Sequence, residues 1–392
     1  MLNEFDHRSI GASYDLFSFF EEGPGFPVWH ARGLRIKNAL IQYWREVHLD
    51  YGYEEIQSPM LLDKSLWKKS GHCDYFEENM FFSSVEKRDY AIKPMSCPGA
   101  ILLFQQKRRS HRELPMRLCE LGHVHRNENS GSLHGLMRVR SFVQDDAHIF
   151  CREEDLLSEI KLVIELIEKM MEKCGLFEFH FELSIRGGNK KFLGKDQDWD
   201  FAEAQLEQGL VHAGYPVIKK EGEAKFYGPS LDLHLKDVHG RFWQCSSLQL
   251  DFNLPSRFEL SFLNEKGEKK VPFMLHRAIF GSLERFIGIL LENYGKNLPL
   301  WMHPHPYQIL VLHEGAKHWA QEIYRVLRKA GIFADIKMVE KNLKDEVKKA
   351  HEDMVHSFII VGLKEAEEKI VNVKNLSSGE IKKMSLEKFG GH

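Results

Sequence analysis

The segment from Leu298 to Pro306 constrains this chain's fold more than any other. Pro299, Pro304 and Pro306 fall within nine residues, around Trp301-Met302-His303. Proline fixes φ and lacks a backbone donor, so neither a helix nor a central strand continues through such a stretch. It reads as a linker between a domain of residues 1–300 and a smaller one of residues 301–392. At 392 residues and 45.8 kDa the chain is long for a single hydrophobic core, which agrees with two domains.

The two sides of the break are patterned differently. After it, apolar strands at Gln308–Leu312, Ile332–Met338 and Ser357–Val361 alternate with helical stretches at Ala316–Ala330 and Asn342–Glu352. That alternation predicts an α/β unit with a largely parallel or mixed sheet. Before the break, Leu34, Ile36, Leu40, Tyr43, Trp44 and Val47 recur at helical spacing. A strand from Tyr53 to Ser58 follows, stopped by Pro59. Further helices are expected at Leu156–Met171, Gln197–Ala213 and Ser282–Tyr294, and a strand at Arg241–Asp251.

Composition excludes several functional classes. A hydrophobic fraction of 43% with 28% charged residues is that of a globular protein. The net charge of -3 provides no global basic field, so any nucleic-acid contact has to be local. From Tyr307 onward 15 Lys/Arg face 13 Asp/Glu, an excess compatible with RNA but not demanding it. No run of 18 apolar residues spans a membrane, and Met1–Ile10 has no apolar signal region. Six scattered cysteines without a CxxC pair favour reduced thiols and a cytoplasmic address.

Chemistry concentrates between His125 and His148. His125-Arg126-Asn127-Glu128 is followed by Arg138-Val139-Arg140-Ser141-Phe142 and Gln144-Asp145-Asp146-Ala147-His148. Guanidinium groups grip phosphate bidentately, an aromatic ring stacks on a base, and amides and acids read polar edges. The mixture suits a nucleoside triphosphate together with a small polar partner. A strand hairpin carrying solvated charges is the plainer alternative.

Several separated motifs together carry a resemblance. The helix and strand ending at Pro59, the run Arg126-Asn127-Glu128 through Phe142, and Gly281-Ser282-Leu283-Glu284-Arg285 look like motifs 1, 2 and 3 of the class II aminoacyl-tRNA synthetases. With Lys93-Pro94-Met95-Ser96-Cys97-Pro98-Gly99 and Phe226-Tyr227-Gly228-Pro229, the chain resembles the threonyl-tRNA synthetase family. The resemblance implies an α+β catalytic domain with an antiparallel sheet, followed by a smaller α/β domain resembling the family's anticodon-binding domain. It also implies a homodimer joined through motif 1.

Site roles follow from the resemblance. Arg126 and Arg285 become catalytic phosphate ligands, Arg126 at the α-phosphate and substrate carboxylate. Arg138 joins Arg285 at the γ-phosphate, Glu128 meets the adenine amine, Phe142 stacks on the base, and Gln244 and Ser282 neighbour the ribose or substrate. Gln144, Asp146 and Tyr227 line the threonine pocket. Cys97, His148 and His276 match the family's zinc ligands, although their separations of 51 and 128 residues fit no local zinc motif. His72 matches a histidine implicated in transfer to the tRNA ribose. The implied cofactors are one Zn²⁺ per subunit and Mg²⁺ with ATP, and the implied substrates are ATP, L-threonine and tRNA(Thr).

The chain departs from the family pattern in places. Ser230 stands where a lysine is usual, which removes one cation from the phosphate side. Asn129 and Ala100 replace a usual proline and histidine. Val371-Asn372-Val373-Lys374 lies where an Arg-rich strand end is usual. Two other readings therefore stay open: a threonine-activating paralogue serving a non-tRNA acceptor, and a non-catalytic RNA-binding regulator. The sequence opens almost at the catalytic domain, so the family's amino-terminal hydrolytic domains are expected to be missing and seryl-tRNA to accumulate.

Overall fold

The computed structural model describes residues 6–188, 192–339 and 343–386. Residues 1–5 of the amino-terminal stretch, and Asn342 at the start of an expected helix, lie outside the described residues. The chain forms two compact units that do not follow chain order. One comprises Phe19–Pro27 and Tyr43–Ile289; the other gathers the described residues of Met1–Ser18, Val28–Gln42 and Leu290–His392.

An eight-stranded sheet organises the first unit. Its strands are β1 (Glu54–Glu55), β2 (Met116–His125), β3 (Ser141–Cys151), β4 (Phe179–Ile185), β5 (Lys219–Glu221), β6 (Ser230–Lys236), β7 (Phe242–Asp251) and β8 (Phe273–Ser282). They lie in the order β5-β4-β6-β7-β8-β3-β2-β1. From β4 to β2 all neighbours are antiparallel; only the short edge strands β5 and β1 pair in parallel.

Longer helices reaching into this unit include α1 (Ala31–Asp50), α2 (Cys97–Gln105), α3 (Leu156–Lys173), α4 (Asp196–His212) and α5 (Leu283–Tyr294). In α3, Leu156, Ile160, Val163, Ile164, Ile167 and Met171 repeat at three- and four-residue spacing, and all are buried. α4 packs against this face closely enough that a Cβ at Gly209 would lie 2.3 Å from Ile160 Cγ2. A side chain at position 209 would push the helices apart. β3 is buried from Asp145 to Cys151 and shows no hydrophobic alternation because both of its faces are covered there, Phe150 on one face packing against Phe104 of α2.

The second unit carries β9 (Tyr307–Val311), β10 (Ala334–Met338), β11 (Ser357–Val361), β12 (Ile370–Asn375) and β13 (Ile381–Ser385) in the order β10-β9-β11-β12-β13. The first three are parallel and the last two antiparallel, which makes the sheet mixed. α6 (Lys317–Lys329) buries Trp319, Ala320, Ile323 and Leu327 in its core.

Two sequence readings need correction. The proline-rich stretch read as a linker is packed: Leu298, Met302, His303 and His305 are buried, and His305 Nε2 lies 2.7 Å from Asp335 Oδ1. Its side chains are core-forming, which proline spacing does not reveal. The strand expected over Tyr53–Ser58 contracts to Glu54–Glu55, because the Ser58 amide donates to Glu120 Oε1 at 2.8 Å rather than to a ladder. Among the described residues, no helix is long and apolar enough to cross a membrane.

Candidate active site

Strands place side chains on alternate faces, so Gln144, Asp146 and His148 of β3 share one face of the sheet. Register sets His148 opposite His276 of β8 and Asp146 opposite Ala278. This face floors a cavity of about 620 Å³. Its lining includes Cys97, Arg126, Glu128, Arg138, Phe142, Gln144, Asp146, His148, Tyr227, Gln244, His276, Ser282 and Arg285. Thirteen of the fourteen residues singled out from the sequence therefore meet in one cavity.

His72 is the exception. It is fully buried and absent from the wall, with Nδ1 2.7 Å from Ser70 Oγ and Nε2 3.8 Å from Cys97 Sγ. Ser230 is likewise buried and absent from the wall.

One end of the cavity is built for anions. Arg126 leaves β2 as the strand ends; its Nε donates to the Pro94 carbonyl at 3.2 Å, and its guanidinium lies 5.2 Å from the Phe142 ring centroid. Arg285 donates from Nε to Met137 O at 2.9 Å and from Nη1 to Gln244 O at 3.2 Å. Burial lowers the pKa of both guanidinium groups. Arg remains charged nonetheless, so each is a desolvated cation that an incoming anion would relieve. Arg138 pairs with Glu128 at 3.5 Å.

Asp145, next to these groups but on the opposite face, fixes the β8 end of the wall. Its carboxylate accepts from the amides of Ile279, Phe280 and Gly281 at 2.9–3.1 Å, where the β3–β8 register is interrupted. Gly281 has φ of 72°, and a Cβ there would sit 2.5 Å from the Cys245 carbonyl oxygen. This bulge turns the chain into α5, whose first turn is capped by Ser282 Oγ accepting from the Arg285 amide at 3.2 Å.

At the other end, ligand atoms of Cys97, His148 and His276 all lie within 4.8 Å of one another. Asp251 Oδ2 is 2.9 Å from His276 Nε2, and its Oδ1 accepts from the amides of Asn253 and Leu254. A carboxylate behind a histidine is the usual arrangement for orienting a metal ligand. Burial, followed by the carboxylates of Asp146 and Asp251, raises the Cys97 thiol pKa well above its ordinary value, and burial keeps His148 neutral. A divalent cation would balance these groups, and three N/S donors with a fourth position open suit Zn²⁺.

The substrate side of this cluster is polar and incompletely satisfied. Burial raises the pKa of Asp146 to about 7. Gln144 Oε1 is buried and has no hydrogen-bond partner among the described residues. The Tyr227 ring lies 5.3 Å from that of His276.

Residues 80–294 match the family described as the tRNA synthetase class II core domain (G, H, P, S and T), and residues 307–391 match an anticodon binding domain. The crystal structure of the RNA binding domain of threonyl-tRNA synthetase from Cryptosporidium parvum Iowa II is 33% identical. It superposes with a TM-score of 0.92 over 98% of this chain and 96% of that one. The chain belongs to the threonyl-tRNA synthetase family.

A putative family member from Aeropyrum pernix is 30% identical, with a TM-score of 0.83 over 97% of this chain and 90% of that chain. The threonine–tRNA ligase of Clostridium acetobutylicum is 45% identical over 389 residues, covering 98% of this chain and 60% of that protein. The corresponding ligase of Caldanaerobacter subterraneus subsp. tengcongensis is also 45% identical, over 98% of this chain and 59% of that protein. The chain thus spans about three fifths of these curated relatives.

The sequence reading assigned no role to the residues that support the cavity's two ends. Asp145, Asp232 and Asp251 hold site residues through hydrogen bonds, and the buried Lys93–Glu120 pair at 2.6 Å ties the loop before Cys97 to β2. Asp145 and Lys93 stood inside motifs but carried no role there. Asp232, Asp251 and Glu120 are isolated acids whose roles depend on strand register.

Proposed function

We propose that the chain is a threonine–tRNA ligase. The supporting observation is that a buried Cys97-His148-His276 cluster shares one cavity with Arg126, Arg285 and Phe142. In this reading ATP enters with Mg²⁺ on its phosphates. Phe142 stacks on adenine and Glu128 accepts from its amine. Arg126 holds the α-phosphate and the threonine carboxylate, while Arg138, released from Glu128, and Arg285 hold the γ-phosphate.

Cys97, His148 and His276 would hold one Zn²⁺ per subunit, which would offer a Lewis-acid site for the amine and hydroxyl of threonine. Asp146 takes the ammonium group or its proton, and Gln144 and Tyr227 close the pocket. The threonine carboxylate oxygen attacks the α-phosphorus and pyrophosphate leaves. The guanidinium of Arg126 meets the charge that develops there. A terminal ribose hydroxyl of tRNA(Thr) then attacks the carbonyl and AMP leaves.

The reading places His72 beneath the metal cluster, as a support for Cys97. Residues 1–300 form the catalytic domain and residues 301–392 the tRNA-binding domain, in a cytoplasmic homodimer. Exposed Leu49, Met60 and Leu61, around the motif 1 elements, supply apolar surface for the subunit contact.

Threonine-dependent pyrophosphate exchange, followed by charging of unfractionated tRNA, tests the assignment. Exchange and charging together are expected. Exchange without charging would point to a different acceptor, and absence of exchange would overturn the ligase reading.

A further inference from the structure

A hydrogen-bond chain runs along the cavity wall at β7 to a carboxylate buried behind it. Tyr227 Oη donates to Gln249 Oε1, Gln249 Nε2 to Ser247 Oγ at 3.0 Å, and Ser247 Oγ to Asp232 Oδ1 at 2.7 Å. The same oxygen accepts from Gln244 Nε2 at 2.6 Å. Asp232 Oδ2 accepts from Ser184 Oγ at 2.8 Å and from Ser230 Oγ at 2.9 Å. Register brings these groups together: Ser230 lies opposite Gln249 and Asp232 opposite Ser247. Tyr227, Gln244, Ser247 and Gln249 line the cavity; Asp232 is buried and does not.

An ionised carboxylate only accepts hydrogen bonds, so it dictates the direction of every group around it. Four neutral donors converge on Asp232, and each must aim a hydrogen inward. For Gln244 this commits the amide nitrogen to Asp232 and leaves Oε1 as the atom available to the cavity. Its backbone is held as well, by Arg285 on its carbonyl. An amide side chain could otherwise present either end to a ligand, and rotation would cost little.

We infer that Asp232 is a positioning residue that makes Gln244 a hydrogen-bond acceptor for a ribose hydroxyl of the bound nucleotide. The inference rests on the proposed reading of this cavity as an ATP site. In that reading Glu128 takes the adenine amine and the arginines take the phosphates. The sugar hydroxyls are then the donors of ATP left for an acceptor on β7. A hydroxyl read by a fixed buried acceptor is discriminated strongly from its absence, because the deoxy ligand leaves that acceptor unpaired.

The test is direct binding of ATP, 2′-deoxy-ATP and 3′-deoxy-ATP to the full chain by calorimetry, without amino acid. The wild type is expected to prefer ATP over one deoxy analogue by roughly 10-fold or more. Asp232→Asn lets Gln244 rotate and should reduce that preference to about 3-fold or less. Gln244→Glu keeps an acceptor but loses the donor to Asp232, so it should do the same, and it serves if Asp232→Asn does not fold. The exchanged pair, Asp232→Asn with Gln244→Glu, restores a hydrogen bond of reversed polarity and should recover part of the preference; a merely structural role predicts no such rescue. An unchanged ratio in Asp232→Asn or in Gln244→Glu would overturn the inference while leaving the ATP site intact. Failure of the wild type to bind ATP would instead overturn the reading of the cavity.

Discussion

In the proposed reading, single residues at the cavity floor distinguish this site from a general nucleotide pocket. Cys97→Ser exchanges a soft thiolate for a hydroxyl and should lower zinc content and threonine-dependent exchange together. Metal analysis alongside exchange kinetics checks this: unchanged zinc content would refute the ligand assignment, and full activity with reduced zinc would remove the metal from threonine activation. Side-chain chemistry also orders the competing amino acids. Valine has nearly the shape of threonine but no hydroxyl for the cluster, so exchange with valine should stay near background. Serine keeps the hydroxyl and loses one methyl, worth about 1–3 kcal/mol, so its kcat/KM in exchange should fall by roughly 10–200-fold. A valine rate equal to that of serine would remove the cluster from amino-acid recognition. These proposed roles were visible in the sequence only through family motifs, since separations of 51 and 128 residues conceal a three-residue cluster.

Secondary-structure elements decide how accurately those residues are aimed. β3 carries Gln144, Asp146 and His148 toward the cavity and Asp145 away from it, so adjacent acids serve opposite faces. Asp145 ties down the bulge that launches α5 and with it Arg285. In Asp145→Asn an amide group faces backbone donors, at a cost on the order of 2–4 kcal/mol. The expected result is a lower melting temperature together with a KM for ATP raised more than that for threonine. Equal changes in both constants would argue against control of Arg285 through this bulge. Long periodic elements were legible beforehand: α3, α5 and β11 lie within two residues of the ranges read from apolar spacing. The strand after Tyr53 was overestimated, because Ser58 hydrogen-bonds to a side chain 62 positions away.

Across the molecule, burial sets how stability responds to acid. His303 is held neutral: its Nε2 lies 3.2 Å from Lys296 O, and its Nδ1 accepts from the His305 amide. Burial lowers its pKa to about 4. The unfolded chain takes up a proton near pH 6.5 and the folded chain does so only near 4. This contribution is therefore complete above pH 6.5 and is lost as pH falls through that window. Between pH 7 and 5 it amounts to about 1–2 kcal/mol, so the stability of His303→Gln should fall less over that range than that of the wild type, as measured by denaturant titration. Parallel curves would show that His303 does not titrate in this way. The proline-rich stretch containing it separates two sequence patterns, yet its histidines are core residues. By itself the sequence determined the family, the α+β and α/β character of the two parts, and thirteen side chains that line one cavity, because these depend on local periodicity and short motifs. Only tertiary structure decided that Asp145, Asp232 and Asp251 hold the site, that His72 lies beneath it, and that the apparent linker is buried. Those outcomes depend on strand register and packing between residues far apart in the chain, which no local pattern encodes.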